Sequence, residues 1–325
     1  MNFALHENFH EILLHDSGSE DPEHFLIFGT TQLLDGLARA ELWLADGTFK
    51  TVPSIFFQLY TIHFQSDSGR NPAAVYALLP NKTRSTYSRM LSVIKEQIPT
   101  ADPTCILLDF EMAAMSTFNE FFPDANIKGC FFHLSQSVIR KANQLGMKSD
   151  IESNIDFSTA VLCLPALSYV PSDCVVEAFE LLADSMPHHD HMDELISFFE
   201  HTYIRGRRRG NSNSYPQPLF PIAQWNHFDN AVDGIARTTN AVEGWHYALQ
   251  CLFQCSHPTM WTFLNGILAD IGNQKYHFLQ GISGAVLPPL RKYERVKQNV
   301  QRVVGQFGAT DIITYLKAVQ YLACK

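Results

Sequence analysis

Three acidic residues stand where predicted secondary-structure elements end or begin. Asp46 closes the run WLAD, Asp109 closes the apolar run ILLD, and Glu243 opens a late helix in TTNAVE. Two carboxylates that lie close together raise each other's pKa unless a divalent cation neutralises them. Oxygen ligands suit Mg²⁺ or Mn²⁺, and a pair of such ions can support phosphoryl transfer. The three residues therefore form a candidate catalytic metal site.

Each of these acids also has an ordinary structural explanation. Asp46-Gly47 is a favoured hairpin dipeptide, and Asp109 is placed to cap the helix that follows it. Glu243 comes three residues after Asn240, as in a capping box. The position of Asp109 favours a site, because open α/β sheets bind ligands beyond the carboxyl ends of their strands.

The elements that must position these acids alternate between strand and helix. Three runs rich in aromatic and β-branched residues predict adjacent antiparallel strands: ELWLADGTFK, IFFQLYTIHFQ and PAAVYALLP. A helix, TYSRMLSVIKEQI, and a buried parallel strand, TCILLDF, follow. Then come a helix in MAAMSTFNEFF, a strand in IKGCFF and a helix in LSQSVIRKANQLG. This order, β-β-β-α-β-α-β-α, is that of the ribonuclease H-like fold, although periodicity also allows other α/β arrangements.

Changes in pattern along the chain predict four segments. Residues 1–40 form an N-terminal lead-in with a strand or helix in FLIFGT and TQLLDGLARA. Residues 41–146 form the first part of a ribonuclease H-like core. Helical patterns and a polar loop predict a helical insertion over 150–235. Residues 236–325 are predicted to be C-terminal helices that complete the catalytic core and end in a helical tail.

Composition limits the function further. The chain has 325 residues, of which 46% are apolar, enough for a packed core. The 24 Lys and Arg against 33 Asp and Glu give a net charge of -9, so any contact with DNA must depend on cations or a local basic patch. No apolar run reaches the roughly 20 residues of a membrane span, and we expect no membrane role. Seven cysteines and no apolar leader argue against a secreted disulfide-bonded protein.

Five sequence blocks occur in one order: DGTF, ALLPNKT, DFE, GCFFH and TNAVEGWH. With these blocks, residues 41–265 resemble the transposase domain of the Mutator-like element (MULE) superfamily. The resemblance implies a ribonuclease H-like domain with an Asp-Asp-Glu triad, interrupted by a helical insertion before the glutamate. By motif position, Asp46 matches the first acid, Asp109 the second and Glu243 the third. Glu111, two residues after the second acid, is a competing carboxylate.

The same resemblance implies an activity and partners. A MULE transposase hydrolyses a phosphodiester at the element's end with metal-activated water, and the freed 3'-hydroxyl then attacks target DNA. It implies Mg²⁺ or Mn²⁺ in a two-metal site, a homo-oligomer on DNA and a nuclear location. Relatives typically carry an N-terminal zinc-containing DNA-binding module. The 45 residues ahead of Asp46 contain no Cys/His-rich segment, so we expect that module to be missing or supplied by a partner.

Two other functions stay open. One is a domesticated or decayed transposase that binds nucleic acid or regulates without cleavage. The other is a ribonuclease H-like nuclease that cuts without strand transfer, with the same carboxylates. The products formed from DNA would separate the three.

Further residues are candidates for supporting the acids. Cys130 and His133 form C-x-x-H in GCFFH, and His246 lies three residues after Glu243. Either histidine could hydrogen-bond a carboxylate or a phosphate, or be a structural histidine of the interior. Cys130 is predicted to be buried at a strand end.

A structural zinc site is not expected. Zinc needs about four ligands, and the C-x-x-H motif supplies two. Cys251, Cys255 and His257 could complete a site, but C-x₃-C on a helix is also ordinary core spacing.

One basic cluster is dense enough to hold DNA phosphates or to act as a nuclear import signal. It lies in RGRRRG beside a polar loop, and a solvated loop is the alternative. Its members are Arg205, Arg207, Arg208 and Arg209.

Overall fold

The computed structural model describes residues 7–208, 215–284 and 291–323. The fold is mixed α/β, as predicted, with one mixed sheet and many helices. Within the described ranges, no helix combines the length and the apolar character needed to span a membrane.

Strands and helices are interspersed in the first part of the chain, and helices follow. The strands are β1 (Leu13–Asp16), β2 (Leu26–Gly29), β3 (Leu42–Thr48), β4 (Gln58–Phe64), β5 (Ala73–Leu79), β6 (Cys105–Leu108) and β7 (Asn126–Gly129). The helices are α1 (Glu7–His10), α2 (Thr31–Arg39), α3 (Arg84–Gln97), α4 (Met112–Phe121), α5 (Phe131–Gln144), α6 (Lys148–Ser153), α7 (Ile155–Ala166), α8 (Val175–Asp184), α9 (Met192–Phe199), α10 (Ile222–Trp225), α11 (Phe228–Val232), α12 (Asn240–Phe253), α13 (Met260–Ile282), α14 (Arg291–Val304) and α15 (Ile312–Ala323). A 3-10 turn covers Leu167–Tyr169, and a π-helical segment covers Glu200–Ile204.

The chain divides into two compact units. The first contains Met1–Ile127 and Thr239–Pro288, and the second contains Lys128–Thr238 and Pro289–Lys325. The four segments predicted from the sequence remain a prediction about domains, because compactness does not by itself define a catalytic domain.

Among the described residues, one seven-stranded sheet has the order β1-β2-β5-β4-β3-β6-β7. β5, β4 and β3 are antiparallel neighbours, and β3 pairs in parallel with β6, which confirms the predicted change of direction. β4 and β5 are buried along their whole length, in agreement with their apolar and aromatic sequences. β1 and β2, from the predicted lead-in, extend the sheet beside β5.

Two late helices complete the first unit. α12 packs against α13 and β3, and α13 also contacts β5 and α2. Gly36 of α2 permits this close packing, because a Cβ there would lie 2.5 Å from the ring of Phe64 and 2.6 Å from that of Phe278. The helix that carries Glu243 therefore lies beside the strand that carries Asp46.

The second unit is helical in its described residues beyond β7. Its interior contains the aromatic rings of Phe199, Tyr203 and Trp225 in mutual contact. The indole Nε1 of Trp225 donates a hydrogen bond to the Tyr203 carbonyl at 2.9 Å. α15 packs on α7, and the Tyr315 hydroxyl donates to the Tyr169 carbonyl.

The strand predicted over IKGCFF is too long. β7 ends at Gly129, Cys130 has an extended backbone, and α5 begins at Phe131. The buried side chains of Phe131, Leu134 and Val138 share one helical face. The strand does not continue through the two phenylalanines, because the buried residues that follow recur at helical spacing rather than at every second position.

Candidate metal site of the first unit

Asp46 lies inside β3 and is 5% exposed. Its cross-strand partner is Thr61 of β4, and the strand continues through Thr48, so the hairpin-turn explanation for Asp46 is wrong. The Gly47 N–H donates to Asp46 Oδ1 at 2.8 Å. The carboxyl group thus belongs to a paired strand rather than to a turn.

Asp109 comes directly after β6, the parallel neighbour of β3. Leu44 pairs with Leu107, so Asp46 and Asp109 stand two residues beyond the same paired position. Parallel strands with this register bring both acids to the same end of the sheet. α4 begins three residues after Asp109 and has Glu111 as its N-cap, so the capping explanation for Asp109 is wrong.

Glu243 lies in the first turn of α12. One of its carboxylate oxygens and one of Asp46 lie within 4.8 Å of each other. Asn240 is the first helical residue rather than the residue that precedes the helix, so the predicted capping box with Asn240 as N-cap is wrong. Packing of α12 against β3 brings these two acids together.

Burial raises the pKa of all three acids. For Asp46 burial is the largest cause, and the charges of Asp109 and Glu243 add to it. The pKa of Asp46 therefore lies well above its usual range. Burial, followed by the charge of Glu111, raises the pKa of Asp109 to about 6. Burial raises the pKa of Glu243 to about 7. This concentration of carboxylates, poorly solvated by water, is a donor set that fits a divalent cation.

Both carboxylate oxygens of Glu111 accept hydrogen bonds from other side chains. Its Oε2 accepts a hydrogen bond from Lys82 Nζ at 2.9 Å, and its Oε1 accepts one from the Tyr87 hydroxyl at 2.7 Å. Gln58 Nε2 in turn donates to the Tyr87 hydroxyl at 2.9 Å. Lys82 belongs to the ALLPNKT block, but sequence reasoning assigned no role to it or to Tyr87. A cation and a tyrosine thus occupy both oxygens of this competing carboxylate.

His246 lies beside the first acid. Its Nδ1 is 3.7 Å from Asp46 Oδ2, and both side chains are largely buried. His246 and Glu243 are three residues apart on α12, so one helical face presents both toward β3.

Cys130 and His133 belong to the second unit. Cys130 is fully buried directly after β7, as predicted. His133 lies in the first turn of α5. Burial, followed by the charge of Arg140, lowers the pKa of His133 to about 4, so its imidazole is neutral at neutral pH.

The basic cluster also lies in the second unit. Arg205 forms ion pairs with Glu200 at 2.6 Å and Glu180 at 2.8 Å, which occupy its guanidinium. Arg207 and Arg208 are exposed, and Arg209 lies outside the described residues.

Cys251 and Cys255 are both exposed, so the expectation that their spacing marks core positions is wrong. Cys251 lies on the exposed side of α12, whereas Val242 and Leu249 form its buried side, and Cys255 follows the end of that helix. His257 Nδ1 lies 3.2 Å from the Val52 carbonyl oxygen within the first unit.

Comparison with known families covers the strands that carry the first two acids. Residues 42–137 match the family model of the MULE transposase domain. This confirms the MULE resemblance over that span, which is less than half of the chain. The MULE match includes Asp46 and Asp109 and ends before Glu243. No curated protein shows significant similarity to the chain.

Proposed function

We propose that the first unit is the ribonuclease H-like catalytic domain of a divalent-metal-dependent DNA transposase, with Asp46, Asp109 and Glu243 as its triad. The observation that carries the proposal is the meeting of Asp46 and Glu243, whose carboxylate oxygens lie within 4.8 Å although the residues are far apart in sequence. The MULE match over the first two acids supports the same assignment.

The donor set suits Mg²⁺ or Mn²⁺. Three carboxyl groups with raised pKa values supply hard oxygen ligands and negative charge that a dication would offset. Bound ions of this kind polarise a phosphodiester, activate a nucleophile and stabilise the leaving oxygen. Asp46 and Asp109 hold their positions through paired strands, and Glu243 holds its position through a packed helix.

The contacts of Glu111 favour Glu243 as the third acid. Lys82 and Tyr87 already bind both oxygens of Glu111. We assign Glu111 a supporting role, in which it holds Lys82 beside the site. The charge of Lys82 also acts on Asp46 and Asp109 and offsets part of the rise in their pKa values.

Nicking of supercoiled plasmid DNA tests this proposal. We expect the purified protein to nick the plasmid with Mg²⁺ or Mn²⁺ and not with EDTA. Asp46→Asn and Asp109→Asn should each lower the rate at least about 100-fold, with unchanged circular dichroism. Asp67→Asn changes an exposed aspartate of the same unit and should cut like the wild type. Undiminished cutting by either Asp46→Asn or Asp109→Asn would overturn the assignment.

The reaction products distinguish the other functions. Joining of a labelled 3'-hydroxyl end to a second DNA indicates a transposase, whereas cutting without joining indicates a nuclease. DNA binding without cutting under all metal conditions indicates a decayed or regulatory copy.

We extend the proposal to location and assembly. A DNA transposase acts on chromosomal DNA, so we propose a nuclear location, a homo-oligomer on DNA and end recognition by a partner module. Microscopy of a tagged chain and the mass of the complex with DNA test these points. Cytoplasmic retention or a monomer on cut DNA would contradict them.

A further inference from the structure

A fourth acid of the first unit joins three elements. Asp270 of α13 accepts at Oδ2 from the Tyr76 hydroxyl at 2.6 Å and from the Trp245 indole Nε1 at 2.9 Å. Gln274 Nε2 donates to its Oδ1 at 3.3 Å. One carboxylate oxygen of α13 thus joins β5, through Tyr76, to α12, through Trp245.

The β5 end of this bridge is in register with the candidate site. Tyr76 is the cross-strand partner of Thr61, and Thr61 is the cross-strand partner of Asp46. Directly opposed residues of neighbouring strands point to the same face of a sheet. The Asp270 bridge therefore starts from the same row of side chains that contains the first acid.

The α12 end of the bridge is two residues from Glu243. The Trp245 ring packs edge-on against His63 of β4, with centroids 4.9 Å apart, and against Tyr76, with centroids 5.5 Å apart. His63 is fully buried, and its Nε2 lies 3.3 Å from the Thr61 hydroxyl. The indole is thus fixed by two rings of the sheet and by one hydrogen bond to α13.

We propose that Asp270 is a positioning residue that holds α12 against the sheet and thereby keeps the Glu243 carboxylate beside Asp46. The inference rests on the proposed function of these acids. A shift of α12 away from the sheet would separate Trp245 from Asp270, so that the partly buried indole donor would lose its acceptor and the carboxylate would lose one of its three donors. Such losses are costly, and hydrogen bonds to a carboxylate are stronger than neutral ones.

Three substitutions separate the hydrogen bond from simple packing. Asp270→Leu removes the acceptor and keeps a side chain of similar size. Asp270→Asn retains an oxygen that can accept from both Tyr76 and Trp245, so it is the conservative variant that should restore function. Trp245→Phe keeps one aromatic ring and removes the indole donor together with part of the ring system, a loss of volume that the control variant shares. Trp225→Phe is the matched control, because the Trp225 Nε1 also donates at 2.9 Å, but to Tyr203 of the second unit.

The test measures Mn²⁺ affinity by the electron paramagnetic resonance of free Mn²⁺, together with plasmid nicking. We expect Asp270→Leu and Trp245→Phe to bind Mn²⁺ about 10-fold more weakly than the wild type. Their kcat should fall while KM for DNA stays unchanged, and added Mn²⁺ should restore part of the rate. Asp270→Asn and Trp225→Phe should bind Mn²⁺ like the wild type. If Asp270→Leu does not fold, Trp245→Phe compared with Trp225→Phe decides.

The outcomes distinguish this inference from the proposed function. A wild type that neither binds Mn²⁺ nor nicks DNA overturns the proposed function and the inference together. A wild type that does both, with unchanged Mn²⁺ affinity in Trp245→Phe, overturns the inference alone. Equal weakening in Trp225→Phe would also overturn it, because the loss would then reflect general stability.

Discussion

His246 Nδ1 and Asp46 Oδ2 lie 3.7 Å apart, a contact that joins the first turns of α12 to the middle of β3. The helix that carries Glu243 therefore meets the first acid through two side chains rather than one. A group next to a metal-binding carboxylate orients it and adjusts its basicity.

Replacement of His246 should weaken the candidate site. We expect His246→Ala to lower Mn²⁺ affinity and the nicking rate about 10-fold, because Asp46 loses the neighbour that orients it. His191→Ala is the control, since His191 pairs with Glu194 at 2.8 Å in an exposed pair of the second unit. Calorimetric titration with Mn²⁺ measures the affinity of each variant, and plasmid nicking measures its rate. Equal affinities of His246→Ala and the wild type would contradict this role.

Glu243 and Glu111 should respond differently to the same substitution. Glu243→Gln should lower nicking at least about 100-fold, because it removes a charge that binds the ions. Glu111→Gln weakens the contact with Lys82 and should lower the free energy of unfolding by about 1 to 3 kcal/mol with a smaller loss of rate. Urea unfolding and plasmid nicking measure the two effects. A larger loss of rate in Glu111→Gln than in Glu243→Gln would reverse the assignment of the third acid.

Stability of the metal-free protein should depend on pH through these acids. The native pKa of Asp109 is about 6 and that of Glu243 is about 7, whereas carboxyl groups of an unfolded chain titrate near about 4. Between the unfolded and the native pKa values, the native state therefore binds more protons than the unfolded state. The stability that these protonated groups contribute is lost as pH rises through about 6 to 7. Three histidines with lowered pKa values act in the opposite direction. They are His63, His133 and His227.

The difference in stability between Asp109→Asn and the wild type is free of the histidine contribution, because both proteins contain the same histidines. In EDTA, we expect Asp109→Asn to be more stable than the wild type at about pH 8, by up to about 2 kcal/mol, and to show little gain at about pH 4. Mg²⁺ should stabilise the wild type more at high pH, because its ligands must lose their protons. Thermal unfolding followed by circular dichroism measures the stability difference in EDTA and the stabilisation by Mg²⁺. A gain for Asp109→Asn that shrinks as pH rises would contradict the raised native pKa.

The exposed arginines should contribute to DNA affinity without sequence preference. We expect Arg207→Ala with Arg208→Ala to weaken DNA binding and to reduce the slope of log affinity against log salt by about 2. Arg205→Ala should instead mainly lower stability, since Glu200 and Glu180 already bind its guanidinium. Fluorescence anisotropy at several salt concentrations measures the slopes. An unchanged slope in the double variant would exclude these residues from the DNA contact.

Local pattern was sufficient for much of the sheet. Runs of β-branched and aromatic residues predicted β3 to β6, with the first three antiparallel and β6 parallel, because strands buried on both faces have a composition that short segments already reveal. The same pattern failed at Phe131 and Phe132, since two adjacent aromatic residues fit a strand end and a first helical turn equally well. The prediction of core positions for Cys251 and Cys255 also failed, because spacing does not tell which side of a helix is covered and because α12 ends at Phe253, before Cys255.

The sequence by itself identified Asp46, Asp109 and Glu243 as the acids to examine, from their places beside apolar runs and a helix start, although Asp46 proved to lie inside β3. Tertiary structure decided which of them meet, because the approach of α12 to β3 depends on packing between segments far apart in the chain. It also decided that Lys82 and Tyr87 engage Glu111. Local periodicity indicates the type of element and which residues share a face, whereas the partner of a buried charge is set by the distant side chain that packs against it.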